Sequence, residues 1–283
     1  MTGISAVVAT YRRKEELRRL FDSVIANGIR NIELIIVDQN TDGLIDQLIS
    51  EYASQLDISH IRMEEANQSK ARNIGAAQAK YPIICFPDDD CWFEPDALTK
   101  VQHYFQRAPQ TDLLVANWKQ NPVVHERSFR LTPQHIYTFR AVGYVTYVLF
   151  FNKGVFQKLG GFLETIGIGK YIGGGEDSEL TFRAADRGMR IYYEASIGVN
   201  HKYIPITSRN LETIRARQRA MGLMYAKYRV PRFIVFKGLA APLVRMLFCM
   251  NRSKAKEYYH MFLGRKEGLL YGLRQNDVAA KAA

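Results

Sequence analysis

An α/β fold, with a sheet flanked by helices and followed by a basic helical extension, is what this sequence predicts, and three observations carry that expectation. Strand-like and helix-like segments alternate through the first half at the spacing of a parallel sheet with helices on its faces. With 283 residues, 47% of them apolar, the chain has core enough for one large α/β domain, or for one domain with an appendage. The charge is uneven: residues 202–283 hold 17 Lys plus Arg against 4 Asp plus Glu, net +13, while residues 1–201 hold 22 against 24, net −2. The overall +11 therefore belongs to the last third, where nucleic acid, anionic lipid and acidic substrates are all admissible partners.

Taken in order, Ile4 to Thr10 reads as a strand, and Lys14 to Asn27 as a helix with Leu17, Leu20, Phe21, Val24 and Ile25 on one face. Asn27-Gly28 stops it. Glu33 to Asp38 is a second strand ending in a carboxylate, followed by a helix over Gly43 to Gln55 and a short strand near Ile58 to Met63. Ser69 to Ala79 is a further helix, Ile83 to Phe86 a strand, Ala97 to Gln106 a helix and Leu113 to Trp118 a strand. In open α/β sheets ligands collect at the carboxyl ends of the strands, the positions of Thr10, Asp38 and Asp88 to Asp90. Val123 to Gly175 is less regular and rich in aromatic residues, and the glycines from Gly167 to Gly175 predict a mobile loop. Leu180 to Ala184 then reads as a helix closed by Gly188, and Ile191 to Val199 as a strand. Asn210 to Arg229 is a basic helix. Phe233 to Met250 is apolar but interrupted by Lys237, Pro242 and Arg245, which predicts a segment lying in a membrane interface and not crossing it.

Cys85, Cys91 and Cys249 have neither the number nor the spacing of a disulfide frame or zinc site, so a reducing compartment is expected. Met1 to Ala9 passes straight into a strand without a basic leader, and no signal peptide is expected. The longest run free of Asp, Glu, Lys and Arg is Ala141 to Asn152, 12 residues, too short to span a bilayer.

Two acidic clusters carry the chemistry. Asp88-Asp89-Asp90 follows the apolar run Ile83 to Pro87, so a strand fixed in hydrocarbon would present carboxylate oxygens to a hard divalent cation. The alternative is an acidic loop capping the helix that starts near Pro95. Glu176-Asp177 follows Gly173-Gly174-Gly175 at a helix start, either a general base approached closely by substrate or an ordinary N-terminal cap. Together, a metal held by one cluster and a free carboxylate in the other equip a site for attack by a hydroxyl on a group bearing a diphosphate. His60, His103, His125, His135 and His260 show no partner pattern and are expected on the surface or in loops.

The ordered set Val8-Ala9-Thr10-Tyr11-Arg12-Arg13, Ile36-Val37-Asp38, Ala71-Arg72-Asn73-Ile74-Gly75, Phe86-Pro87-Asp88-Asp89-Asp90, Leu159-Gly160-Gly161-Phe162 and Gly175-Glu176-Asp177 resembles the inverting glycosyltransferases of family 2, of bacterial surface-glycan type. The resemblance covers roughly residues 4 to 205. It implies the GT-A fold, a Rossmann-like mixed sheet flanked by helices, over residues 1–205, with a nucleotide-binding half (1–120) and an acceptor-binding half (121–205). Residues 206–283 form the basic amphipathic helical extension.

By the same resemblance Thr10, Tyr11, Arg13, Asp38, Arg72, Asn73 and Asp88 contact the nucleotide. Asp90, with Asp88 and His201, takes a divalent cation, Mn2+ or Mg2+, the imidazole suiting manganese better. Asp89 is structural, and Asp177 is the catalytic base. Glu176 and Trp92 are assigned to the acceptor, although Trp92 and Trp118 lie at strand ends, where a large aromatic is more often core. The single acid in Asp38-Gln39-Asn40 departs from the adjacent acids usual in the family, which leaves the choice of base open; the Gly-Gly-Gly-Glu-Asp segment favours a uridine donor, UDP-galactose or UDP-N-acetylgalactosamine.

The reaction implied is transfer of a sugar, with inversion, to a hydroxyl of a glycan or lipid-linked glycan in surface polysaccharide assembly. A cytoplasmic enzyme peripheral on the inner face of the cell membrane is expected, residues 206–283 resting on an anionic surface, packing on the catalytic domain or forming a homodimer. A nucleotidyltransferase making an activated sugar would need a glycine-rich first loop, which Thr10-Tyr11-Arg12-Arg13 is not. A nucleic-acid-binding protein would leave both acidic clusters without purpose, so no nucleic acid partner is expected.

Overall fold

The computed structural model describes residues 2–120, 125–138, 142–201 and 210–282, the last six by backbone alone. The boundary expected between 205 and 206 lies outside the described residues. The chain divides into two compact units, one drawn from Met1–Thr132, Phe139–Phe162 and Gly188–Tyr203, the other from Pro133–Thr138, Leu163–Arg187 and Ile204–Ala283.

The first unit contains the sheet. β1 (Ile4–Thr10), β2 (Ile32–Asp38), β3 (Asp57–Arg62) and β4 (Ile83–Cys85) pair in parallel, as the alternation predicts. Every residue of β1 and β2 is buried, which explains why both read as continuous Val/Ile runs. Beyond β4 the sheet becomes mixed, as in GT-A folds. β5 (Cys91–Phe93), β6 (Leu113–Trp118), β7 (Phe129–Leu131), β8 (Leu149–Asn152) and β9 (Ile191–His201) complete the order β3-β2-β1-β4-β8-β6-β9-β5, with β7 beside β9. β8 runs antiparallel to both neighbours, and β5 antiparallel to β9. Phe150 and Phe151 of β8 are fully buried.

Around the sheet run α1 (Glu15–Ala26), α2 (Asp46–Tyr52), α3 (Gln68–Gln78), α4 (Ala97–Arg107) and, later in the chain, α6 (Lys153–Leu159). α1 has Glu15 and Glu16 in its first turn, favourable to the helix dipole, and buries Leu17, Leu20, Phe21 and Val24, each contributing about 1.5–3 kcal/mol. In α3, a methyl group at Gly75 would overlap Val7 of β1, so glycine there sets how closely this helix can lie on the sheet.

The second unit is helical: α5 (Pro133–Thr138), α7 (Glu176–Asp186), α8 (Leu211–Lys227), α9 (Arg232–Leu247) and α10 (Arg252–Ala282). Arg215 and Arg219 of α8 meet Glu267 of α10, and the Ala226 carbonyl accepts from Asn276, so residue numbers rise together and the two helices are parallel. Gly264, Gly268 and Gly272 line the contact. A Cβ at Gly264 or Gly268 would overlap the carbonyl of Arg215 or Arg219, and one at Gly272 would lie 2.6 Å from Ala226 Cβ. The glycine-rich stretch expected as a mobile loop is instead packed on α8: Gly173 N donates to Ala216 O at 3.1 Å, and Ile166 and Ile172 form a cluster with Ala220 and Leu223.

α9 has an uncovered apolar face, with Phe236, Leu247 and Phe248 between 74% and 84% exposed and Phe233 at 62%. Leu239 and Leu243 are half-buried. Among the described residues no helix is long and apolar enough to cross a membrane.

Candidate functional site

Because β1, β2 and β4 are parallel, their carboxyl ends reach the same edge of the sheet, and the residues that follow them meet there. Thr10 Oγ1 donates to Asp89 Oδ2 at 3.0 Å, and Tyr11 N approaches the same oxygen at 3.4 Å. Asp89 thus ties the loop after β1 to the acidic triplet. Burial pushes its carboxyl up to about 6, against the opposing pull of Arg13 and the Thr10 hydroxyl. In the same loop Arg12 has φ +58°, a left-handed conformation stabilised by its N–H donating to Asn40 Oδ1 at 2.8 Å.

Asp88 and Asp90 face different cations. Asp88 Oδ1 accepts from Arg72 Nη2 at 2.6 Å, whereas Asp90 is ion-paired with Arg13 and lies 3.0 Å from His201 Nε2. The strand order explains the last contact: β5 starts just after the triplet and pairs with β9 so that Cys91 is opposite His201. Asp88, Asp90 and His201 offer ligand atoms within 4.8 Å of one another, close enough to share a cation. Two carboxylates and one imidazole are oxygen and nitrogen donors of the kind that hold a divalent cation.

Arg72 is 2% exposed, and its Nη1 is buried without a hydrogen-bond partner among the described residues. An unpaired buried donor costs about 1–3 kcal/mol, so this guanidinium is prepared for an acceptor that the described residues do not supply. Its neighbour Asn73 is committed to backbone. Its Nδ2 donates to Phe162 O at 2.9 Å and its Oδ1 accepts from Phe162 N at 2.8 Å, an approach that glycine at 161 permits.

Asp38, at the end of β2, is fully buried and accepts from the backbone and side-chain nitrogens of Asn40, at 2.9 and 2.7 Å. Its other oxygen is 3.1 Å from His60 Nε2. His60 is therefore not the unpartnered surface or loop histidine expected: it lies on β3 beside a buried carboxylate, brought there by strand pairing that no local pattern records. Asp38, Asp46 and His60 form a second group with ligand atoms within 4.8 Å, but Asp46 is already paired with Arg62 at 2.6 Å.

Aromatic residues brace His201. Tyr147 stacks on its ring at 4.6 Å and 2°, Trp118 meets it edge-on at 6.4 Å, and the His201 N–H donates to Gln120 Oε1 at 2.9 Å. Sequence reasoning did not assign Tyr147 or Gln120 to the site; a tyrosine among many aromatic residues offers no local signal. Tyr11 is 51% exposed, and Trp92 is half-buried with the Arg19 guanidinium 3.9 Å from its ring centroid.

Glu176 and Asp177 belong to the helical unit, where they begin α7 after Gly175, itself at φ +86°. Asp177 Oδ1 accepts from Ser178 N at 2.6 Å. Glu176 Oε2 is buried without a hydrogen-bond partner among the described residues. Glu179, two residues after Asp177, is fully buried and bound by Arg183 at 2.7 Å, Lys227 at 3.4 Å and the Tyr228 hydroxyl. The three acids of this turn therefore have three different environments.

Residues 5–160 match the family model for Glycosyl transferase family 2. Glycosyltransferase GlyA of Streptococcus pneumoniae is 30% identical over 121 residues, 41% of this chain and 16% of that protein. The chain spans well under half the length of the curated relatives it matches, 16%, 37% and 33% in three cases. Among solved structures, Staphylococcus aureus TarS 1–349 in complex with UDP-GlcNAc aligns with a TM-score of 0.67 at 14% identity, covering 92% of this chain and 79% of that one. Mannosyltransferase PcManGT from Pyrobaculum calidifontis, in complex with GDP-Man and Mn2+, aligns at 0.64 and 14%, covering 95% and 87%. At such identities the likeness is one of fold.

Proposed function

The chain belongs to glycosyl transferase family 2, and on that premise we propose that it transfers a sugar, with inversion, from a nucleoside diphosphate donor to an acceptor hydroxyl. The observation that carries this reading is the grouping of Asp88, Asp90 and His201, with Asp88 also paired to the open guanidinium of Arg72. Asp88, Asp90 and His201 would hold a divalent cation; when bound, it offsets negative charge gathering on a diphosphate leaving group. The free Nη1 of Arg72 donates to a phosphate oxygen and so recovers the hydrogen bond it lacks. Arg13 turns from Asp90 toward the same phosphates, and the exposed Tyr11 contacts the nucleoside; Thr10 and Asp38, both fully buried, act instead by holding Asp89 and Asn40 in place. Asn73 acts through the Phe162 backbone it holds. Uridine is the favoured base, in keeping with the UDP-GlcNAc bound by TarS.

Asp177 takes the proton of the attacking hydroxyl, and Glu176, with its open carboxylate oxygen, holds an acceptor hydroxyl, Trp92 contributing an aromatic surface. Replacing Asp177 by Asn should lower transfer by ~10²–10⁴-fold while nucleotide affinity, measured by calorimetry, stays near wild type. Turnover at the wild-type rate would show that another group is the base.

The acceptor is a glycan or lipid-linked glycan of surface polysaccharide, met at the inner face of the cell membrane. Support comes from α9, whose exposed Phe233, Phe236, Leu247 and Phe248 accompany Arg232, Lys237 and Arg245, with no Asp or Glu between Glu212 and Glu257. Each basic residue near an anionic leaflet contributes about 1 kcal/mol. The intact protein should float with anionic vesicles, and Phe236→Glu with Leu247→Glu should abolish flotation; equal recovery of both forms would overturn membrane contact.

A further inference from the structure

We propose that α8 is the seat on which the Gly173–Gly175 turn is shaped, which makes Ala216 and Ala220 positioning residues for Asp177. The inference rests on the reading of Asp177 as base. It changes the role of the basic extension, whose first helix becomes part of the apparatus that sets the catalytic group.

The fit is residue to residue. An added Cβ at Gly173 would lie 2.8 Å from Ala216 Cβ, and one at Gly175 2.6 Å from Ala220 Cβ. Ala216 and Ala220 are one helical turn apart on a single face of α8, so the turn is laid along that face. Gly174 and Gly175 adopt φ +142° and +86°, conformations that L side chains rarely adopt. Gly173 has no such constraint, so contact with Ala216 alone explains glycine there. Its N–H donates to the Ala216 carbonyl, and the Gly175 carbonyl accepts the first helical hydrogen bond of α7 from Glu179 N at 2.8 Å.

The seat is held at two places. Arg219 donates to Tyr171 O at 3.0 Å and lies 4.4 Å from the Tyr171 ring centroid, while Glu212 and Glu267 fix its other nitrogens at 2.8 and 2.9 Å. At the far end of α8, Lys227 and the Tyr228 hydroxyl reach the buried Glu179 of α7. α7 is thereby fastened before its first turn and within it, with Asp177 between the two points. A shift of α8 moves Asp177 with it, and reacting groups displaced by about 1 Å can lose ~10²-fold in rate.

A complementary swap tests this. Gly173→Ala should lower kcat by at least about tenfold, with nucleotide affinity within about twofold of wild type, because the methyl group meets Ala216. Adding Ala216→Gly should restore kcat to within about threefold. Glycine in a helix interior is itself unfavourable, so recovery in the double variant reports relief of the contact and not general stability. Gly173→Ala with turnover within about twofold of wild type, or a double variant no better than the single, would overturn the proposal. Amide exchange at residues 173–178, faster in Gly173→Ala and restored in the double variant, reads the seat independently of activity. If Asp177→Asn keeps full turnover, the base reading fails while exchange still decides whether α8 holds the turn.

Discussion

The sheet unit and the helical unit both bury carboxylates beside arginines, and they use them in opposite ways. At the sheet edge Asp88, Asp89 and Asp90 share Arg13 and Arg72, one of which retains an open nitrogen. Under the proposed function these pairs are exchanged for a cation and a phosphate. In the helical unit Glu267 is gripped by Arg215 and Arg219, and Glu179 by Arg183, Lys227 and Tyr228, around helices that touch backbone to backbone through glycine. These pairs fasten one helix to another and serve shape. The same residue types make an exchangeable site in one unit and a fastening in the other.

The contrast predicts that substitutions in the two units fail differently. The largest effect should come from Asp90→Asn, which should lower sugar transfer by ~10²–10³-fold by removing one electrostatic group from the site. Its unfolding free energy, measured in urea, should change little, because losing one of three adjacent carboxylates relieves their repulsion as it removes the pair with Arg13. A collapse of stability instead would mean that the triplet is a structural fastening like Glu267. Next, Gly268→Ala should destabilise the helical unit by about 1–3 kcal/mol, because its methyl group overlaps the Arg219 carbonyl and backbone must move. Nucleotide binding should be preserved; its loss would erase the distinction between the units.

The smallest effect concerns acid. Hydrogen bonding from Arg215, opposed by partial burial, holds the Glu267 carboxyl below its ordinary value. A lowered carboxylate contributes stability above its unfolded pKa of about 4.3 and loses it as pH falls through the lower folded value. Protection of the α8 and α10 amides, taken relative to intrinsic exchange at each pH, should therefore fall below about pH 4, and Glu267→Gln, already without the charge, should show a flatter dependence. The expected size is about 0.5–1 kcal/mol, given the partial exposure of the pair.

What could be read beforehand follows the range of the interactions. Alternation from Ile4 to Trp118 is local, and the parallel strands and their helices stand close to where the pattern puts them, Gly43 to Gln55 contracting to α2. β5 and β8, with three and four residues, were not read, because each is defined by a partner far along the chain, Cys91 by His201 and Phe150 by Leu114. α10 falls within the helical extension expected over 206–283, but its packing was not read, although Gly264, Gly268 and Gly272 at intervals of four mark a helix face that admits another backbone. Glycines 173 to 175 suggested access for a substrate, whereas two of them face alanines of α8. A sequence shows that a side chain is missing; only the fold shows what occupies its place.

The pairing of β9 with β6 skips from Ala116↔Glu194 to Asn117↔Gly198, leaving residues 195–197 of β9 as an excess over their partner. Side chains alternate between faces only along paired strand, and a bulge suspends that alternation, so the residues after it are free of the register before it. His201 takes its facing from the pairs that follow the excess, Asn117↔Gly198 and Cys91↔His201. A residue lost from 195–197 should therefore be absorbed there with the imidazole still beside Asp90, whereas one lost between Gly198 and His201 should turn it to the opposite face.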